Sequence, residues 1–221
     1  MNRYHLRIAC MMLACLLISR VAVGQNTGYK FESLSVSSGE STITSGITGI
    51  AQFTKNKTRL IEIAVQQEQA WLIYGSKFKS GKRFNGLAAA SGGHFKGAPW
   101  VGPFLALEAP IASALGQQIT VSTMQWPGFF LYRPKERDRN GSKPDRFLDK
   151  TMGYLGGAQL AVGPLGFGYS LQKFLDDPWN ELPAVSYTKK ISKDFSVSGS
   201  ATWNNNDRHW MYYLGLTWKP A

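Results

Sequence analysis

The segment Phe195-Ser196-Val197-Ser198-Gly199-Ser200-Ala201-Thr202-Trp203 decides the fold. It alternates strictly. Phe195, Val197, Gly199, Ala201 and Trp203 share one face, and Ser196, Ser198, Ser200 and Thr202 share the other. Successive side chains of a strand point to opposite faces, so period two is strand periodicity. The faces carry a second signal. The apolar one has an aromatic ring at each end with small or aliphatic residues between. A strand that crosses a bilayer needs about 9–11 residues with aromatics at both interfaces. The next segment repeats the pattern: Trp210, Tyr212, Leu214, Leu216 and Trp218 oppose Met211, Tyr213, Gly215 and Thr217.

Working outward, Leu165, Phe167, Tyr169 and Leu171 oppose Gly166, Gly168, Ser170 and Gln172. Met152, Tyr154, Gly156, Ala158, Leu160 and Val162 form another apolar row, and Gly163-Pro164 is a tight turn between these two strands. The earlier chain is compatible with strands near 28–37, 42–53, 58–66, 70–78, 84–92, 100–110 and 117–126. Leu60, Ile63, Ala64 and Trp71 also fit helical spacing, which leaves a helix there as an alternative. Adding 152–162, 165–175, 183–192, 195–204 and 209–218 gives about 12 strands. Eight or ten are also compatible. Counted in order, the odd-numbered connections near 38–41, 67–69, 93–99, 127–151, 176–182 and 205–208 include the long ones. The even-numbered ones near 54–57, 79–83, 111–116, 163–164 and 193–194 are short. Long loops at one end and short turns at the other fit an all-β, antiparallel, up-and-down transmembrane β-barrel. Residues 25–221 would form this single domain.

Residues 1–24 read as a cleaved signal peptide. Arg3 and Arg7 precede an apolar run from Ile8 to Ile18, and Ala22-Val23-Gly24 offers a small-residue exit before Gln25. That run is too short for a spanning helix, which needs about 20 apolar residues. Leu13-Ala14-Cys15 faintly resembles a lipoprotein box, but the run continues past it. Both cysteines, Cys10 and Cys15, leave with the signal, which excludes disulfides and thiolate metal sites from the exported chain. Three cations and no acid leave as well, reducing the net charge from +11. The remaining basic residues form no helical stripe and are not interleaved with stacking aromatics, so no nucleic-acid partner is expected.

Together the signal, the alternating strands and the strand Trp210 to Trp218 make the chain resemble a small bacterial outer-membrane β-barrel protein. The last strand resembles the C-terminal signal read by the barrel-insertion machinery, with Lys219-Pro220-Ala221 added after the aromatic. The resemblance implies a Gram-negative outer membrane, and that machinery and outer-membrane lipids as partners. It stays at the level of the class, so it carries over no functional residue.

Candidate sites come from the residues alone. The stretch from Pro127 to Lys150 holds Arg133, Lys135, Arg137, Arg139, Lys143, Arg146 and Lys150 against Glu136, Asp138, Asp145 and Asp149. It reads as a solvated surface loop, or one contacting anionic groups such as lipopolysaccharide phosphates. Asp138, Asn140 and Ser142 offer oxygens, but Lys143 stands where an EF-hand needs glycine, so no metal or cofactor is expected. His94 and His209 are the histidines left after cleavage. With Ser91 and Asp207 they are the weak candidates for hydrolytic chemistry, and no G-x-S-x-G elbow supports them. Glu62 and Glu108 alternate with apolar neighbours, so they face the lumen if those neighbours face lipid. A carboxylate there needs a partner or water, and a lumen-facing Lys190 is the candidate. The seven tryptophans read first as membrane-interface belts and second as sugar-stacking surfaces in a pore.

The functional expectation is a narrow porin-like channel for small solutes, anionic ones favoured by the charge, or an envelope structural component. One alternative is an outer-membrane enzyme modifying lipid or peptide. The other is a soluble secreted ligand-binding barrel, with the apolar face turned inward. Solute and oligomeric state are not encoded in any feature of the sequence.

Overall fold

The computed structural model describes residues 28–40, 45–66, 69–81, 84–95, 98–114, 116–130, 152–174 and 178–220. Residues 1–24, expected to be a signal peptide, and the cationic residues between 131 and 151 lie outside them. The described residues form twelve strands: β1 Lys30–Glu40, β2 Ser45–Lys55, β3 Arg59–Val65, β4 Gln69–Ser80, β5 Phe84–Phe95 and β6 Ala98–Ala114, then β7 Gln117–Phe130, β8 Met152–Val162, β9 Leu165–Phe174, β10 Asn180–Lys190, β11 Phe195–Asn204 and β12 His209–Trp218. Each pairs antiparallel with its chain neighbour, and β1 pairs with β12, closing the barrel. The helical alternative for Leu60 to Trp71 is overturned. Val65 and Ala70 are partners on β3 and β4, so this stretch is two strands with a connection between them.

Short turns gather at one end, called here the turn end. Gly163-Pro164 links β8 to β9 with Gly163 at φ 56, a conformation glycine adopts without a Cβ clash. Asn56 and Lys57 both take positive φ between β2 and β3, with the Thr58 amide donating to the Lys55 carbonyl. The opposite, loop end carries the connections after β1, β3, β5, β7, β9 and β11. The apolar face of β11 and β12 points outward. Leu214 is 71% exposed and Tyr212 63%, so the described residues of the chain leave that surface uncovered. Aromatics ring it at both levels. Trp203 and Trp210 pack edge to face 5.5 Å apart toward the loop end, and Phe31 and Trp218 lie tilted 5.4 Å apart toward the turn end. This is the exterior that a hydrocarbon layer requires.

The closing seam is stitched from inside and at its ends. Ser35 bonds Thr217 at 2.9 Å and Ser37 bonds Tyr213 across β1 and β12. At the loop end His209 Nε2 lies 3.1 Å from Glu40 Oε1. At the turn end Lys219 Nζ lies 3.7 Å from Glu32 Oε1.

Candidate functional site

Directly paired residues share a face, so the register assigns every lumen position. Along β8 to β11 the lumen wall is built from Gly157, Gly168, Ala184, Ser186, Ser200 and Thr202. These side chains are too short to reach the axis, and the interior of a twelve-stranded barrel is left open. A cavity of about 1070 Å³ runs along this wall toward the turn end, where Lys57, Lys77, Lys79 and Glu108 join its lining. A second cavity of about 480 Å³ lies toward the loop end. They meet at Ser170, Ala184, Ser200 and Thr202, which line both.

The loop-end chamber is aromatic. Trp71, Trp100 and Trp126 all point inward, which corrects the belt reading for three of the tryptophans. Trp126 lies 5.8 Å from Trp71, 5.6 Å from Trp100 and 5.5 Å from Phe104, each edge to face. Such offset geometry suits ring quadrupoles. Nearer the mouth, Phe95 and Phe174 pack at 4.8 Å, and Phe130 and Phe174 at 5.4 Å.

Backbone chemistry sets this cluster. Pro103 and Pro127 face each other on β6 and β7, and the paired register lapses between Val101–Phe129 and Leu105–Gln125. Proline has no N–H to give the ladder. Gly102 sits in the gap, where a Cβ would stand 1.9 Å from the Pro127 carbonyl oxygen. Ser91 Oγ donates to the Gly102 carbonyl at 2.7 Å, and Trp126 Nε1 donates to Ser91 Oγ at 2.8 Å. On the neighbouring wall, Ser33 donates to Gln52, Gln52 Nε2 to Glu62 Oε2 at 2.8 Å, and Trp71 Nε1 to Glu62 Oε1 at 3.3 Å. The Trp71 and Trp126 rings are therefore held by their N–H groups.

The turn-end chamber is charged. A bulge between Phe31 and Ser33 inserts Glu32 into β1. Its carboxylate takes Lys77 Nζ at 2.9 Å. Lys57 and Lys79 line the same cavity with Glu108 as the acid among its lining residues.

The sequence candidates fall as follows. Glu62 and Glu108 hold lumen positions, as the alternation implied. Glu62 accepts from Gln52 and Trp71 rather than meeting Lys190, which pairs in register with Ser196 near the turn end. Ser91 and His94 lie on opposite faces of β5, because their separation of three residues is odd in a period of two. Ser91 is buried and engaged with Trp126 and Gly102, so this pair makes no nucleophile and base. His209 meets Glu40 rather than Asp207, whose carboxylate accepts from Asn204. Arg133, Lys135, Arg137, Arg139, Lys143 and Arg146 lie outside the described residues. Among the described residues no three His, Cys, Asp or Glu side chains form a metal cluster. Sequence reasoning missed Gly102, Gln52 and Glu32, whose roles depend on what faces them across strands.

No family model and no curated protein matches the chain. Three solved structures share the fold. The KdgM porin gives a TM-score of 0.58 at 12% identity, covering 86% of this chain and 99% of that one. The KdgM porin in complex with disordered oligogalacturonate gives 0.59 at 11% identity, covering 86% and 99%. The NanC porin gives 0.50 at 8% identity, covering 86% and 100%. The chain therefore has the twelve-stranded porin fold of these proteins.

Proposed function

We propose that the protein is a narrow outer-membrane channel for small solutes with a preference for anions. The observation that carries this is the pair of adjoining lumen cavities along a wall of glycine, serine, alanine and threonine. An envelope anchor would need no such void, since side chains can fill a small barrel. The apolar exterior with its two aromatic levels supports insertion in a bilayer, with the turn end toward the periplasm. Lys57 and Lys79, with Lys77 largely offset by Glu32, raise the potential of the turn-end chamber, and a confined positive potential concentrates anions. The KdgM porin in complex with disordered oligogalacturonate is a structural neighbour bound to a polyanion, which fits this preference. The cationic stretch containing Arg133 to Arg146 is proposed to meet phosphates of lipopolysaccharide at the loop end.

Planar-bilayer recording tests the reading. Purified protein should give steady current, and a salt gradient should give a reversal potential on the anion side. Lys77→Glu together with Lys79→Glu should move that potential toward cations. A silent bilayer with correctly folded protein would refute the channel, and an unmoved potential would refute the role of these lysines.

A further inference from the structure

We infer that the loop-end chamber is a binding subsite for a solute carrying a six-membered ring with an apolar face. Trp71, Trp100 and Trp126 line a chamber of about 480 Å³, within the range that encloses a small organic ligand. Indoles turned into a water-filled lumen leave apolar surface exposed to water, and a ring laid against them removes it. The indole N–H groups of Trp71 and Trp126 are already given to Glu62 and Ser91. Those bonds fix the rings and leave their π surfaces as what they present.

Charge recognition does not explain this chamber. Glu40 and Lys173 are the ionic residues among its described lining. Lys173 pairs in register with Tyr154 on the outward face, with its Nζ 5.7 Å from the Trp179 ring. The lumen lysines are in the other chamber. Among the described residues, a flexible acyclic anion would find no cationic partner beside the three tryptophans. A ring finds surface against them, with Ser200 and Thr202 on the facing wall to hydrogen-bond its substituents. The two chambers thus sort a solute by different properties, shape at the loop end and charge at the turn end. The inference deepens the channel reading, which explains how a solute would reach the subsite; binding itself needs no conduction.

Two ring chemistries share this surface, a pyranose and an arene. The test is calorimetric titration of the folded, detergent-solubilised full chain with cellobiose, benzoate and succinate, alongside bilayer recording of the same preparations. Saturable binding of cellobiose points to a sugar, and of benzoate to an aromatic solute; either supports the subsite if succinate binds far more weakly. Trp71→Leu and Trp100→Leu should each weaken that binding about three- to tenfold. Trp100→Phe, which keeps a ring, should restore most of it, and Trp203→Leu on the outer face should leave it unchanged. Equal binding of succinate, no binding of either ring, or indifference to both leucine variants would overturn the inference. A silent bilayer with ring binding intact would refute the channel and leave the subsite standing.

Discussion

At the scale of single residues, Gly102 connects backbone to site. It lies where Pro103 and Pro127 interrupt the β6–β7 ladder, and its carbonyl accepts the Ser91 hydroxyl that in turn holds Trp126. A methyl group at Gly102 would collide with the Pro127 backbone, which cannot swing away as a side chain could. Gly102→Ala should therefore destabilise the barrel by about 1–3 kcal/mol. Its urea midpoint should fall, followed by tryptophan emission in lipid vesicles. Ser91→Ala removes the hydroxyl that joins the Gly102 carbonyl to the Trp126 indole and should cost about 1–3 kcal/mol. Ser91 was legible as a notable residue, but its proximity to His94 in sequence pointed to chemistry that strand geometry forbids. The tryptophans were visible as tryptophans, while the side of the wall they occupy was not.

At the scale of strands and turns, alternation placed β8, β11 and β12 where the structure has them, because one face of each meets lipid and the other small polar residues. β6 and β7 run further than their patterns suggest, to Ala98–Ala114 and Gln117–Phe130, so the segment from Pro127 to Phe130 is strand rather than loop. The bulge in β1 left no mark in the sequence beyond a charged residue in an apolar row. Its consequence is measurable. Glu32 neutralises Lys77, which lines the turn-end chamber. Glu32→Gln releases that positive charge, and the reversal potential in a salt gradient should move further toward anions. A shift toward cations would show that Glu32 does not compensate Lys77.

At the scale of the molecule, closure of β1 on β12 removes the free sheet edges that an open sheet would expose. A Glu40–His209 hydrogen bond and a Glu32–Lys219 ion pair sit at opposite ends of that seam. His209, Glu40 and Lys219 are exposed to solvent, so combining Glu40→Gln with Lys219→Gln, which leaves the Glu32–Lys77 pair in place, should lower stability by less than about 2 kcal/mol. The variant should still show the faster migration of an unheated sample on gels, which marks a closed barrel. Loss of that mobility shift would mean that the seam depends on its charges rather than on the backbone ladder.

The sequence by itself determined a transmembrane-type antiparallel barrel of about twelve strands, its turns, and the small-residue wall from β8 to β12. Period-two patterning is local, and it is sharp wherever lipid and lumen differ in polarity. Only the tertiary structure decided the character of the opposite wall. There Trp71, Trp100, Phe104 and Trp126 make the inside as apolar as the outside. With both faces apolar, hydropathy cannot tell which way a ring points, and pairing register across strands distant in sequence has to settle it.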